Sequence, residues 1–507
     1  MANKNSNILP IVVMYLLFFM IAFVTNLCSP MAVILKNNFE ISNFAAQLGN
    51  AANFIAYAVM GIPAGMLLKK IGYRKTALVA ILVGFVGVFL QYMSGWTAIQ
   101  SFGVYLAGAF IAGFCMCMLN TVVNPMLNTL GGGGNRGNQL VQFGGVCGST
   151  AAVLVTIIMG SLIADASKAQ IADATPALMI ALGVFAFAFL VLVLVKIPEP
   201  ELVDLTKGAN MEVKGKKYSA FSFRHFNLGM LAIFMYLGVE VGVPTYVMQY
   251  LSTPTLEMQV VKELEKDSVA ALYVANNITV SADAIQPVSE GTDTITILPL
   301  DETHELVLTD ALITNIIDDS STLDLLKLTT PGLGINAGIA GMVVAIYWLL
   351  MLVGRFLGGI ISGKISSRAQ IVGVSVMTLV LVLLGMFLPA DVMVKMPGID
   401  WATLTVITAQ VPIGIFALIL VGLCTSVMWG GIFNMAVEGL GKYTSIASGA
   451  FMTMVCGGGI LIPLQGKLAD VFGDFQMSYI VVLACAAYIL FYALVGSKNV
   501  NKDIPTE

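Results

Sequence analysis

Twelve apolar stretches occupy most of the chain, centred on residues 10–35, 46–68, 76–93, 101–127, 139–163, 176–197, 228–251, 334–361, 371–388, 407–433, 445–466 and 477–495. Most reach the roughly 20 residues that a helix needs to cross a bilayer. Hydrocarbon offers no partner for backbone N–H and C=O groups, so each stretch predicts a helix that satisfies its own backbone. Placing the first residue in the cytoplasm puts 16 of the 25 Lys and Arg residues in the even-numbered connections and both tails and 7 in the odd-numbered connections, with Lys196 and Arg355 inside runs. That bias is the positive-inside signal, and it predicts that both termini are cytoplasmic. The first run is too long for a signal peptide, and Leu27 is not the small residue that lipoprotein cleavage wants, so it stands as the first helix.

The basic, Pro-bearing stretch Pro198 to Ser222 divides the runs six and six. The predicted fold class is therefore an all-α polytopic membrane protein of two pseudo-symmetric six-helix bundles. Residues 1–197 form the first bundle, 198–222 a cytoplasmic linker and 223–507 the second bundle, interrupted between the seventh and eighth helices by an external insertion at 252–333. Internal similarity supports the division. The fifth run ends in Gly160-Ser-Leu-Ile-Ala-Asp165 and the eleventh in Gly466-Lys-Leu-Ala-Asp470, while the second and eighth end in glycine-and-charge segments around Gly65 to Lys75 and Gly354 to Arg368. Within the insertion, residues 292–298 alternate polar and apolar as a half-buried strand does, and Asp318-Asp319 and Thr329-Thr330-Pro331 read as turns.

Composition narrows the function classes. Of the 507 residues 58% are hydrophobic and only 11% charged, against about 25% charged in soluble domains. The net charge of −4 hides a split, because residues 251–333 hold 14 of the 29 acidic residues and 3 basic ones. No nucleic-acid partner is implied by such a surface; the expected surroundings are membrane lipid, and the expected state is a monomer. All seven cysteines fall in the apolar runs or at their edges, in no metal-ligand or disulfide pattern, so no cofactor is expected. Gly131 to Gly134 lacks the Lys-Ser/Thr and the preceding strand of a phosphate loop. No nucleophile–base or metal constellation points to an enzyme.

Polar residues inside the runs carry the chemistry, since each is costly in lipid and usually faces a cavity or a partner. Asn26, Ser29, Gln47, Asn50, Asn53, Asn120, Asn124, Asn128, Gln142 and Asn434 form a set rich in amides. Amides donate and accept at once, which suits the hydroxyls of a neutral polyol, and they also serve as interhelical glue. Glu240 is the one carboxylate near the middle of a run, in Tyr236-Leu-Gly-Val-Glu240-Val-Gly-Val-Pro244-Thr-Tyr246. An acid there is a functional candidate by default.

Asn120-Thr-Val-Val-Asn124-Pro125, with Gln142 downstream, resembles the fucose/galactose/glucose permeases of the major facilitator superfamily, sugar:H+ symporters. The likeness extends through Asn26-Leu27, Gly238-Val-Glu240-Val, Tyr347-Trp348 to Gly354-Arg355-Phe356, Glu438 to Ser445 and Gln465 to Asp470. It implies a twelve-helix carrier that imports a neutral monosaccharide by alternating access through a bacterial inner membrane, coupled to a cation. Asn26, Asn120, Asn124, Gln142 and Asn434 would then bind hydroxyls, Tyr246 would stack on the ring, and Glu240 would bind a hydroxyl or the coupling cation. Ser29 stands where these permeases commonly have an aspartate after the Asn-Leu pair, and Asn120 where they have glutamate or glutamine. Glu240 is left as the coupling candidate, with H+ or Na+ as its ion. The alternatives are an exporter of amphipathic drugs on the same fold and a membrane sensor that uses the insertion as its receiver.

Overall fold

The computed structural model describes residues 8–39, 41–130, 134–162, 170–195, 197, 211–213, 216–266, 285–287, 296–299, 304–308, 310–319, 326, 328–361, 365–400, 405–440, 443–501 and 503–504, with Ser29, Asn128 and Gln142 given in backbone only. Among the described residues, twelve helices cross the molecule: α1 (Ile8–Asn38), α2 (Leu48–Leu68), α3 (Lys70–Met93), α4 (Phe102–Leu130), α5 (Gly134–Leu162), α6 (Thr175–Leu194), α7 (Arg224–Ser252), α8 (Ala337–Ile361), α9 (Ser367–Phe387), α10 (Ile413–Val437), α11 (Ala450–Phe472) and α12 (Phe475–Gly496). Eleven are long and apolar enough to span a bilayer, and α5 holds the shorter apolar stretch Phe143–Met159. Its start, Gly134-Asn-Arg-Gly-Asn-Gln139, is polar and dilutes the signal at that end. Exposed Ile62, Phe187, Leu194, Phe387 and Val471 give the helices an apolar outer surface, which suits lipid and not water.

Helices α1 to α6 pack together, as do α7 to α12, and the two groups meet chiefly where α5 lies on α8 and α2 lies on α11. Without a hydrophobic drive between helices in lipid, such contacts depend on close van der Waals fit, and small residues permit it. A Cβ on Gly459 of α11 would sit 2.7 Å from the Ala51 carbonyl oxygen of α2. Only glycine allows that approach. The interior of each bundle is filled by fully buried aromatics, Tyr105 and Phe185 in the first and Tyr236, Tyr246, Phe451 and Tyr479 in the second.

Residues 407–412 read as the start of the tenth helix, but they belong to a strand, Thr405–Pro412, paired antiparallel with Met393–Asp400 from Met393↔Pro412 to Asp400↔Thr405. The run is apolar in either conformation, and Pro412, with extended backbone at the N-cap, delays the helix to Ile413. In the insertion, helices Leu256–Lys266 and Asp310–Asp318 flank an antiparallel sheet with His304–Leu308 between Ile285–Pro287 and Thr296–Pro299. The strand expected at 292–298 overlaps the last of these, and 292–295 lie outside the described residues. In the 198–222 stretch, Met211–Val213 pairs with Lys216–Tyr218, and 198–210 lie outside the described residues.

Candidate functional site

Helix α7 is two helices, Arg224–Glu240 and Gly242–Ser252, and the sequence explains the break. Pro244 has no N–H to give the carbonyl of residue 240, four positions back, so that oxygen needs another donor. The Tyr347 hydroxyl of α8 supplies it at 3.0 Å. The same hydroxyl lies 3.2 Å from Thr425 Oγ1, at the point where α10 breaks between Thr425 and Met428. The Tyr236 hydroxyl donates to the Thr425 carbonyl at 3.5 Å. Two discontinuous helices are thus tied to each other through Tyr347. Irregular backbone at membrane depth survives only where protein or a cavity satisfies it, and broken helices are where carriers place their sites.

Glu240 stands at this break with its side chain largely withdrawn from solvent in company with Arg355 of α8 (15% and 16% exposed), and Glu240 Oε1 lies 3.4 Å from Arg355 Nη2. Arg355 Nη1 points the other way, into the first bundle, and donates to the Gly145 carbonyl at 2.7 Å and to Ser149 Oγ at 2.8 Å. One guanidinium therefore joins the carboxylate of α7 to the backbone of α5 across the bundle interface. The planar fork of arginine suits this: its donors are fixed in divergent directions and its charge is permanent.

A second polar group lies between α2 and α4. Asn120 Nδ2 donates to the Tyr57 hydroxyl at 3.0 Å, and Asn124 Nδ2 donates to the Asn120 carbonyl at 3.0 Å. Asn26 donates to the Ala22 carbonyl of its own helix at 2.7 Å. These three amides are half-buried, whereas Gln47, Asn50 and Asn53 are sealed inside the first bundle, Asn50 on Gln47 and Asn53 on Cys28. The Asn53 contact joins α2 to α1, as interhelical glue does, whereas the Asn50 contact stays within the start of α2.

The other sequence-derived residues are placed elsewhere. Tyr246 is fully buried within the second bundle, its hydroxyl donating to the Ile462 carbonyl at 2.8 Å and its ring against Phe475, so its face is not offered to a ring-shaped ligand in this conformation. Asn434 is exposed at the end of α10 nearer the 198–222 stretch, where it lines a cleft of about 530 Å³ with Ser366, Arg368 and Glu438. The side chain of Gln142 lies outside the described residues. Arg355, Tyr347, Ser149 and Tyr57 were not singled out as site residues from sequence. A charge of opposite sign in the run after that of Glu240 was the available signal for Arg355.

The Brucella abortus (strain 9-941) glucose/galactose transporter is 25% identical to the chain over 494 residues, covering 96% of this chain and 93% of that one. The L-fucose-proton symporter of Escherichia coli K12 is 20% identical over 522 residues, covering 98% and 95%. Among solved structures, the inward-open xylose transporter XylE from E. coli superposes with a TM-score of 0.60 at 10% identity, over 97% of this chain and 96% of that one, a likeness of fold alone. The Major Facilitator Superfamily model matches residues 14–275, just over half of the 507, and with twelve helices in two bundles around broken α7 and α10, the chain belongs to the major facilitator superfamily.

Proposed function

We propose that this protein is a permease that imports a neutral monosaccharide of the glucose, galactose or fucose type by alternating access, driven by H+ or Na+. The observation that carries the reading is the Glu240–Arg355 pair, because Arg355 also holds Gly145 and Ser149 of the opposite bundle. A cation that neutralises Glu240 removes the charge partner of the side chain that ties the bundles together. The cation and the Arg355 guanidinium thus compete for one carboxylate, which makes the residue that contacts the opposite bundle sensitive to the cation, as coupling requires: a ligand shifts a conformational equilibrium only by interacting differently with its two states. The half-buried amides Asn26, Asn120 and Asn124, together with Gln142, are the proposed partners of sugar hydroxyls, and Asn434, exposed at the end of α10, is set apart from them. The names of the relatives favour the same substrate class.

The test is uptake of radiolabelled glucose, galactose and fucose into proteoliposomes with proton and sodium gradients imposed separately. At least one sugar is expected to accumulate under one gradient and to equilibrate without it. Folded protein that takes up none of the three, yet is stabilised against heat by lipophilic cations, would move the assignment to a drug exporter.

We further propose that the membrane is a bacterial inner membrane, with both termini and the 198–222 linker in the cytoplasm and the insertion outside, on the strength of the Lys/Arg asymmetry. Single cysteines introduced at Ser219 and Ser289 should differ in intact spheroplasts, with an impermeant maleimide labelling only position 289. The reverse pattern would invert the orientation.

A further inference from the structure

The Gly466-Lys-Leu-Ala-Asp470 segment of α11 plays no part in the site above, and its aspartate is placed against expectation. Asp470 lies in the last turn of a helix that ends at Phe472. Negative charge is unfavourable at that end, where the helix dipole is itself negative. Its partners account for it. Asp470 Oδ2 accepts from the backbone N–H of Phe44, in the one-turn helix Asn43–Ala46 between α1 and α2 of the other bundle, at 3.2 Å. Thr330, on the arm that returns from the insertion to α8, is buried, and its hydroxyl lies 3.1 Å from the Ala469 carbonyl and 3.5 Å from Asp470 Oδ1. Lys36, in the last turn of α1, has its ammonium buried with no hydrogen-bond partner among the described residues, and among those residues Asp470 is the acid whose charge favours the ammonium. One carboxylate thus meets the first bundle, the second bundle and the insertion.

The returning arm is held firmly enough to act as a part of this contact. Gly332, Leu333, Gly334 and Ile335 donate their backbone N–H groups to the carbonyls of Pro254, Tyr250, Thr253 and Leu251 at the end of α7, at 2.8 to 3.1 Å. Gly332 is needed for this, since a Cβ there would sit 2.5 Å from the Thr253 carbonyl oxygen. Gln259, on the first helix of the insertion, accepts from both the N–H and the hydroxyl of Thr329, at 2.9 and 3.0 Å. Below the carboxylate, Ala51 of α2 lies against Gly459 of α11, so the two bundles are sealed on this face.

We propose that Asp470 is the latch of the gate on the insertion face, seating the Phe44 turn of one bundle and the Thr330 arm of the insertion on a single carboxylate at the end of α11. The insertion is then a component of the gate, and whatever orders or displaces its first helix acts on the gate through Gln259 and Thr329. Opening toward this face must break the Phe44 contact and separate Asp470 from Lys36, while the Thr330 contact, within the second bundle, keeps the carboxylate oriented for reclosing. The inference rests on the two-bundle carrier reading, and its test does not need sugar to move.

An Ala51→Cys reporter in nanodiscs, treated with an impermeant maleimide and counted against the parent protein with its seven native cysteines, reads the opening of this face directly. Asp470→Asn is expected to speed labelling about tenfold or more, because a hydrogen bond to a charged acceptor is stronger than one to a neutral amide and the Lys36 attraction is lost as well. Thr330→Val, which keeps the shape and removes one hydroxyl, should speed it about threefold. Asp474→Asn serves as the control, since Asp474 caps its own short helix through Gln476 at 2.7 Å, and should leave the rate unchanged. Parental rates in both Asp470→Asn and Thr330→Val, or an equal increase in Asp474→Asn, would overturn the latch. Should Asp470→Asn fail to fold, Thr330→Val alone decides. A parent protein that carries no sugar while these labelling differences persist would count against the transport reading and not against the latch.

Discussion

Glu240→Gln is expected to abolish gradient-driven accumulation while leaving exchange of sugar across the membrane within several-fold of the parent. Glutamine keeps the size of the side chain and its capacity to accept from Arg355, and removes only the charge. Arg355 retains the Gly145 carbonyl and Ser149, so the bundle contact persists, but it no longer responds to a cation. The ratio of internal to external sugar should fall to unity, and exchange should lose its pH dependence if the cation is a proton. Arg355→Gln is the informative companion. It leaves Glu240 without its charge partner in a largely buried setting, and breaking a buried ion pair by removing one member costs about 3–5 kcal/mol. The double variant, in which neither charge is present, should recover much of that stability without recovering accumulation. Such a cycle separates the structural contribution of the pair from its part in coupling. Accumulation unchanged in Glu240→Gln would end the proposal that this carboxylate carries the ion.

Asn120→Ala is expected to weaken sugar binding roughly 5- to 150-fold, since leaving a hydroxyl or its partner unpaired costs about 1–3 kcal/mol and each 1.4 kcal/mol is about tenfold. The structure supplies a way to tell a ligand contact from glue, because the amide already holds the Tyr57 hydroxyl at 3.0 Å. Tyr57→Phe removes that internal partner and leaves the amide free to meet sugar. If Asn120 serves the ligand, Asn120→Ala should lose affinity far more than Tyr57→Phe, measured by isothermal titration or by the shift in melting temperature with sugar. If it serves packing alone, the two variants should lose stability to a similar extent and bind with parental affinity. Asn124, whose Nδ2 is committed to the Asn120 carbonyl, should show a smaller effect than Asn120.

Membrane depth made the helices legible and also limited what could be read from them. Where a run was apolar and uninterrupted, as in α6 or α9, hydrocarbon left helix as the only backbone that satisfies itself. Outside the bilayer that constraint lapses, and the same apolar pattern at 407–412 became half of a hairpin. The amides were visible as costly residues, but their chemistry was not, because Asn26, Asn53 and Asn120 have the same composition and different surroundings. Asn53 is sealed on Cys28, while Asn26 and Asn120 stay half-buried. Tyr246 shows the converse. It was expected to stack on the sugar ring, yet its side chain is buried in the bundle core with its hydroxyl on the Ile462 carbonyl.

By itself, the sequence determined the twelve crossings, the division into two halves, the intruding acidic segment and the isolated carboxylate at Glu240, since each follows from local composition and from the free-energy cost of polar groups in lipid. The break in α7 was also written locally, in Pro244 and the carbonyl it leaves without a donor. Only the tertiary structure decided what answers these local demands. Tyr347 comes to the broken helix from 107 residues away, Arg355 to Glu240 from 115, and Asp470 to Phe44 from 426. Periodicity and composition fix which residues are unsatisfied, because that depends on the medium around each segment. Which partner satisfies them depends on how the two bundles dock, a relation between distant segments that no local pattern encodes.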